Sequence, residues 1–135
     1  MQVREAQIQQ LTSDSQRDFI ERLAAAVREI QPETVSDLDH DDLIECVSAG
    51  VDRALGHGLV MEDAIGTFVG WMFEFAPNFD QQPNIKMMLE YPGLTPEERL
   101  GLVAEAATEE DWTEAEEMYD AAAWGVNPSS GAGGG

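Results

Sequence analysis

Residues 62–75, EDAIGTFVGWMFEF, form the stretch of sequence that decides the fold. Large apolar side chains cover more than one face of a helix there, with no alternation typical of a strand: Ile65, Phe68, Val69, Trp71, Met72, Phe73 and Phe75. A helix that is apolar nearly all round is usually buried on several sides. The pattern predicts a central helix over 62–75, ended by Pro77, with the other elements packed around it.

Two amphipathic helices are predicted before this stretch. Apolar residues at intervals of three and four predict a first helix over residues 13–30, which Pro32 ends. A second helix is predicted to open at Ser36 or Asp37 and to end at Gly56 and Gly58. Residues 1–11 have apolar residues at similar spacing, so they either start a helix of their own or pack as an arm across the core.

Three further helices are predicted after it. A short helix carries Ile85, Met88 and Leu89, and the run Thr95-Pro96-Glu97-Glu98 predicts a capping box at the start of the next one. The last helix is capped by Thr108 or Thr113 and is predicted to continue from Trp112 to Ala122. The sequence thus predicts one all-α domain of five or six helices over residues 1–126 and a flexible Gly-rich tail over 127–135.

The charge balance limits the partners. The 135 residues contain 7 Lys and Arg against 27 Asp and Glu, a net charge of −20, while 43% hydrophobic residues indicate a globular chain. Nucleic acids and anionic membranes are disfavoured as partners, because proteins bind them through basic side chains and this chain has few. A basic protein surface would be attracted.

Cys46 is the single cysteine, so no intramolecular disulfide forms and the expected location is the cytoplasm. No signal peptide or membrane span is expected.

The motifs that usually carry chemistry are incomplete. Asp37, Asp39 and Asp41 alternate as in a calcium loop, but the sixth and twelfth positions are Asp42 and Ser48 instead of Gly and Glu. The two histidines, His40 and His57, do not form a zinc-site spacing with Cys46, and we interpret His57 as part of the turn that ends the second helix. Neither catalytic residues nor a metal or cofactor is predicted.

Two features stand above this background. The aromatic residues from Phe68 to Phe79 are interpreted first as core, with the alternative that Trp71 and Phe79 lie on a docking surface. After Arg99 the chain has no Lys or Arg but many carboxylates, so the last helix is either a solvated face or a surface for a basic partner. The candidate partner-binding residues are Glu109, Glu110, Asp111, Trp112, Glu114, Glu117, Trp71 and Phe79.

The order of several blocks resembles a family of small all-helical bacterial proteins encoded beside type VI secretion spike, PAAR-tip and toxin genes. The blocks are 8–11 with Phe19, 50–59, 68–73, 77–80 and 94–100, and the resemblance covers about residues 3 to 107. The chain departs from the family in its more acidic last helix and its glycine tail.

The resemblance implies a non-enzymatic accessory, an adaptor or chaperone for a toxin or a delivery component. The alternative is an immunity protein that neutralises a basic toxin, such as a nuclease, by presenting carboxylates where phosphates would bind. An enzyme is the third hypothesis.

Overall fold

The computed structural model describes residues 13–124, in which six α-helices and two short 3-10 turns follow one another without a strand. The helices are α1 (Ser13–Ile30), α2 (His40–Gly56), α3 (Glu62–Glu74), α4 (Pro83–Leu89), α5 (Pro96–Ala106) and α6 (Glu109–Glu117). The 3-10 turns are Phe79–Gln81 and Ala121–Trp124. The predicted all-α class and the number of helices are confirmed. The predictions for residues 1–11 and for the tail lie outside the described residues.

The central helix α3 fills the core as its sequence predicts. Ile65, Phe68 and Val69 are fully buried, and α1 and α2 pack against them. Gly50 of α2 faces Val69 so closely that an added Cβ would lie 3.1 Å from its Cγ2 atom. Glycine at this position therefore lets the axes of α2 and α3 approach each other. Burial of the apolar side chains of α3 supplies most of the stability of the fold.

Helix α2 begins later than predicted. Its first residue is His40, and its N-cap is Asp39, whose side chain accepts a hydrogen bond from the Asp42 N–H. Ser36 and Asp37, where the helix is predicted to open, lie in a run of turns over residues 32–37, and these turns bury Val35 completely in the core. The end at Gly56 is confirmed, and Gly58 has the positive φ that glycine adopts without strain.

The C-terminal region follows its capping signals. The predicted capping box of Thr95 and Glu98 is present at the start of α5. Thr108, the first of the two predicted alternatives, caps α6 in a second capping box with Asp111. The single last helix predicted to continue to Ala122 is wrong, because α6 ends at Glu117 and the chain forms the 3-10 turn Ala121–Trp124 after a break.

Candidate functional site

The last helix, α6, is positioned by a short buried segment, residues 78–82, which we call the anchor segment. Its polar side chains Asn78, Asp80 and Gln82 are all buried, at alternate positions of the chain. Asn78 holds the C-terminal end of α6: its Nδ2 donates to the Met118 carbonyl oxygen at 3.0 Å, and its Oδ1 accepts from the Asp120 N–H at 3.0 Å. These bonds hold the chain directly after Glu117, the last residue of the helix.

Gln82 holds the middle of α6. Its Nε2 donates to Glu114 Oε1 at 2.7 Å and lies 3.5 Å from Asp111 Oδ1, while its Oε1 accepts from the Ile85 N–H and caps α4. Asn84 adds a donor to Asp111 at 2.8 Å. Hydrogen bonds from the Thr108 backbone N–H and from Asn84 lower the pKa of Asp111 below its ordinary value. Asp111 is thus an ionised, positioned group.

Asp80 connects the anchor segment to the end of α2. Both its oxygens accept from Arg53, at 2.9 Å from Nε and 2.8 Å from Nη2, and His57 Nε2 lies 2.8 Å from Oδ2. Burial alone would raise the pKa of Asp80, but the bonds from His57 and Arg53 outweigh it and lower the pKa. The ionised carboxylate therefore accepts a hydrogen bond from the Nε2–H group of His57. The expected role of His57 in the turn is extended by this long-range bond.

Aromatic rings form the floor on which α6 rests. Trp112 of α6 stacks on Phe75 with ring centroids 4.2 Å apart and lies 5.1 Å from the Trp71 ring and 5.8 Å from the Phe79 ring. Phe79 is fully buried, whereas Trp71, Phe75 and Trp112 are half-buried. We call Trp71, Phe75 and Phe79 the aromatic floor.

The outer side of α6 is acidic and exposed. Its exposed carboxylates are Glu109, Glu110, Glu114, Glu116 and Glu117. Four of them border a shallow groove of about 370 Å³ together with Thr113. The ion pairs within residues 13–124 connect Asp18, Glu62, Asp80 and Glu90 with basic side chains, and none of them includes a carboxylate of α6.

Two of the predicted docking residues do not lie on this surface. Phe79 is 0% exposed because its ring packs against Phe68 and Trp71 of α3. Asp111 is 7% exposed because it caps α6 and accepts from Asn84. The structure brings Trp71 and Trp112 together at one edge of α6 and leaves Glu109, Glu110, Glu114 and Glu117 on its outer side. The aromatic residues from 68 to 79 are therefore mainly core, with a half-buried edge.

The single cysteine lies apart from the anchor segment and from α6. Burial raises the pKa of the Cys46 thiol to about 11, with Asp42 and Glu45 adding to the effect, so the thiolate is scarce at neutral pH. Cys46 borders an apolar cleft of about 220 Å³, smaller than the roughly 300–1,000 Å³ of usual ligand pockets. Over the described part of the chain, no three His, Cys, Asp or Glu side chains converge on a possible metal position.

Sequence reasoning missed the anchor segment. The long-range partners of Asn78, Asp80 and Gln82 lie between 23 and 42 positions away along the chain. One signal was present, namely three polar residues at alternate positions directly after the most apolar stretch of the sequence.

Comparisons with protein-family models, curated proteins and solved structures gave no match to this chain. None of the helices between residues 13 and 124 has both the length and the apolarity to cross a membrane.

Proposed function

We propose that this protein is a non-enzymatic protein-binding accessory, an adaptor or chaperone of a secreted-toxin, type VI secretion-like locus that acts in the cytoplasm. One observation carries the binding role: five exposed glutamates lie on the nine-residue helix α6, and none of them has a basic partner among the described residues. The resemblance described above supplies the locus. The partner is a basic surface of a toxin or secretion component.

Electrostatic complementarity supports this binding mode. A one-signed face on a chain of net charge −20 steers a basic partner and accelerates association, and the effect falls as salt shortens the screening length to about 10 Å at 0.1 M. The half-buried Trp112 beside this face offers an aromatic contact of the kind that slows dissociation.

Co-purification from the native host, followed by mass spectrometry, identifies the partner, and association kinetics then test the face. The variant replaces Glu109, Glu110 and Glu117 by lysine and leaves Glu114 in place because it accepts from Gln82. The control replaces the exposed residues Glu29, Glu33 and Glu45 by lysine as well. Both variants then have a net charge of −14 in place of −20. We expect the α6 variant to slow association and flatten its salt dependence much more than the control does. Equal effects of the two variants would mean that α6 is only a solvated face.

The alternative, an immunity protein, is favoured by the row of exposed carboxylates on α6, which resembles a series of phosphates in charge. It makes a different prediction with the same purified partner. An immunity protein suppresses the partner's toxic activity at a one-to-one ratio, and a short DNA duplex competes with it for a nuclease. An adaptor or chaperone leaves that activity intact.

A further inference from the structure

We propose that α6 is a flap on the aromatic floor. Repulsion among its own carboxylates opens it at low ionic strength, and cations that neutralise its outer side close it. This inference goes beyond the proposed function, because it concerns the helix itself and holds whatever partner is bound.

Few apolar contacts hold α6 closed. Only Asp111 and Ala115 of this helix are buried, and Trp112 is its one large apolar contact. The helix packs mainly on the 3-10 turn Phe79–Gln81, whereas α2 and α3 pack on each other with several fully buried side chains. Segments with few buried apolar contacts open at a lower free energy than the whole molecule.

Its charges favour opening. Glu110 and Glu114 are four residues apart and Glu114 and Glu117 are three apart, so like charges face each other on the helix surface. The nearest basic residue before α6 in the sequence is Arg99, and no Lys or Arg follows it. Opening unwinds α6, which lets these carboxylates move apart and hydrate.

Two amide donors offset this repulsion in the closed state, Gln82 at Glu114 and Asn84 at Asp111. Gln82 Nε2 is placed between Glu114 and Asp111, two carboxylates of the same helix that no ion pair neutralises within the described residues. The closed state therefore depends on neutral donors at a point where negative charges converge, and Gln82 is the one that bonds Glu114.

The flap remains attached at both ends. Trp124 is buried and its ring lies 4.6 Å from that of Phe73, so the 3-10 turn Ala121–Trp124 stays on α3 when α6 opens. On the other side, α5 keeps Leu100 and Val103 in the core. Opening is limited to the chain between these elements, and it exposes Trp71, Phe75 and Phe79. Cations on the outer side and an apolar ligand on the floor would then oppose each other's binding.

Amide hydrogen exchange of the full chain tests the flap in NaCl at two concentrations. Between 0.01 M and 0.15 M the screening length falls from about 30 Å to about 8 Å. We expect the exchange of α6 amides, measured relative to those of α3, to slow by about two- to fivefold over this range, which corresponds to two like-charge pairs. Exchange of α6 as slow as that of α3, or a ratio independent of salt, would overturn the proposal.

A pair of isosteric variants tests the role of Gln82. Gln82→Glu keeps the acceptor that caps α4 but removes the donor and adds a third carboxylate, and Gln81→Glu makes the same charge change on the exposed neighbouring residue. In 0.01 M NaCl we expect Gln82→Glu to accelerate α6 exchange by about tenfold or more, as loss of a buried hydrogen bond implies, and to increase acrylamide quenching of tryptophan fluorescence.

The control should leave both readouts unchanged, and equal behaviour of the two variants would contradict the inference. Should Gln82→Glu unfold the whole chain, Glu117→Gln decides, because it removes one repelling charge at an exposed position and should slow α6 exchange. Unchanged α6 exchange in Glu117→Gln would also count against the flap.

Discussion

At the scale of single residues, Asp80 is the group on which most of the polar organisation depends. Its side chain is 2% exposed, and it binds Arg53 and His57 from one helix while its own segment holds another. A buried carboxylate in this position costs free energy unless its partners are complete, so removing its charge leaves Arg53 and His57 without their acceptor.

We expect Asp80→Asn to lower the free energy of unfolding by roughly 3 kcal/mol, at the lower end of the range for broken buried ion pairs. The value lies at the lower end because Arg53 and His57 keep part of their surface in water. Urea denaturation measures the change. The matched control is Asp52→Asn, an exposed position next to Arg53 in the sequence. A loss no larger than that of the control would show that the ion pair of Asp80 with Arg53 contributes nothing to stability.

The pH dependence follows from the same carboxylate. Its folded-state pKa lies below the ordinary value of 3.8, so its contribution to stability is complete above that value and is lost as the pH falls through the lowered pKa. We expect the difference in Tm between the wild type and Asp80→Asn to shrink as the pH is lowered from about 5 to about 2. Taking the difference removes the general gain from neutralising other carboxylates. A constant difference over this range would contradict the lowered pKa.

At the scale of elements, α3 is the part of the molecule that the sequence describes best. Its apolar residues exceed one helical face, and the structure buries Phe68 and Met72 at its centre. Helices on three sides use this surface, since α1, α2 and α5 contact α3. Stability should therefore respond more strongly to changes in α3 than to changes in any surface helix.

We expect Phe68→Ala to lower the free energy of unfolding by about 3–5 kcal/mol, because the cavity cannot close among fully buried neighbours. Thr67→Ala, on the exposed side of the same helix, should cost within about 0.5 kcal/mol. Thermal and urea unfolding both measure these values. A small effect of Phe68→Ala would mean that its ring is not part of the core.

Local signals predicted the elements and missed the connections between them. The cap of α5 at Thr95, the end of α1 before Pro32 and the apolar run of α3 each depend on residues within a few positions, so the sequence showed them directly. The bonds from Asp80 to Arg53 and from Asn78 to α6 depend on how helices pack, and hydrophobic periodicity contains no information on such pairs. The burial of Asp111, predicted to be a partner contact, was missed for the same reason, whereas the burial of Phe79 agrees with the first interpretation of the aromatic residues as core.

At the scale of the whole molecule, charge is distributed unevenly. Among the seven basic residues, Arg17, Arg22 and Arg28 lie on α1, while the chain after Arg99 has none. The ends of the helical part thus differ in potential, and the excess of carboxylates destabilises the folded state through repulsion. This repulsion adds to the local effect on α6.

We expect the Tm of the whole protein to rise as NaCl increases from about 0.01 M to about 0.15 M and then to level off, because screening is nearly complete once the Debye length is about 8 Å. Calorimetry at neutral pH measures the change, and an equal osmolarity of sucrose controls for solvent effects that are independent of charge. A Tm that falls over this salt range would show that favourable ion pairs outweigh the net repulsion.

The approach of Trp71 and Trp112, with ring centroids 5.1 Å apart and an interplanar angle of 58°, has an optical consequence. We expect the two indole transitions to couple at this separation and to give two circular-dichroism bands of opposite sign. Only one of these rings belongs to α6, so this pair of bands vanishes whenever that helix leaves α3. Circular dichroism of the native protein, without an added label, therefore reports whether α6 lies on α3.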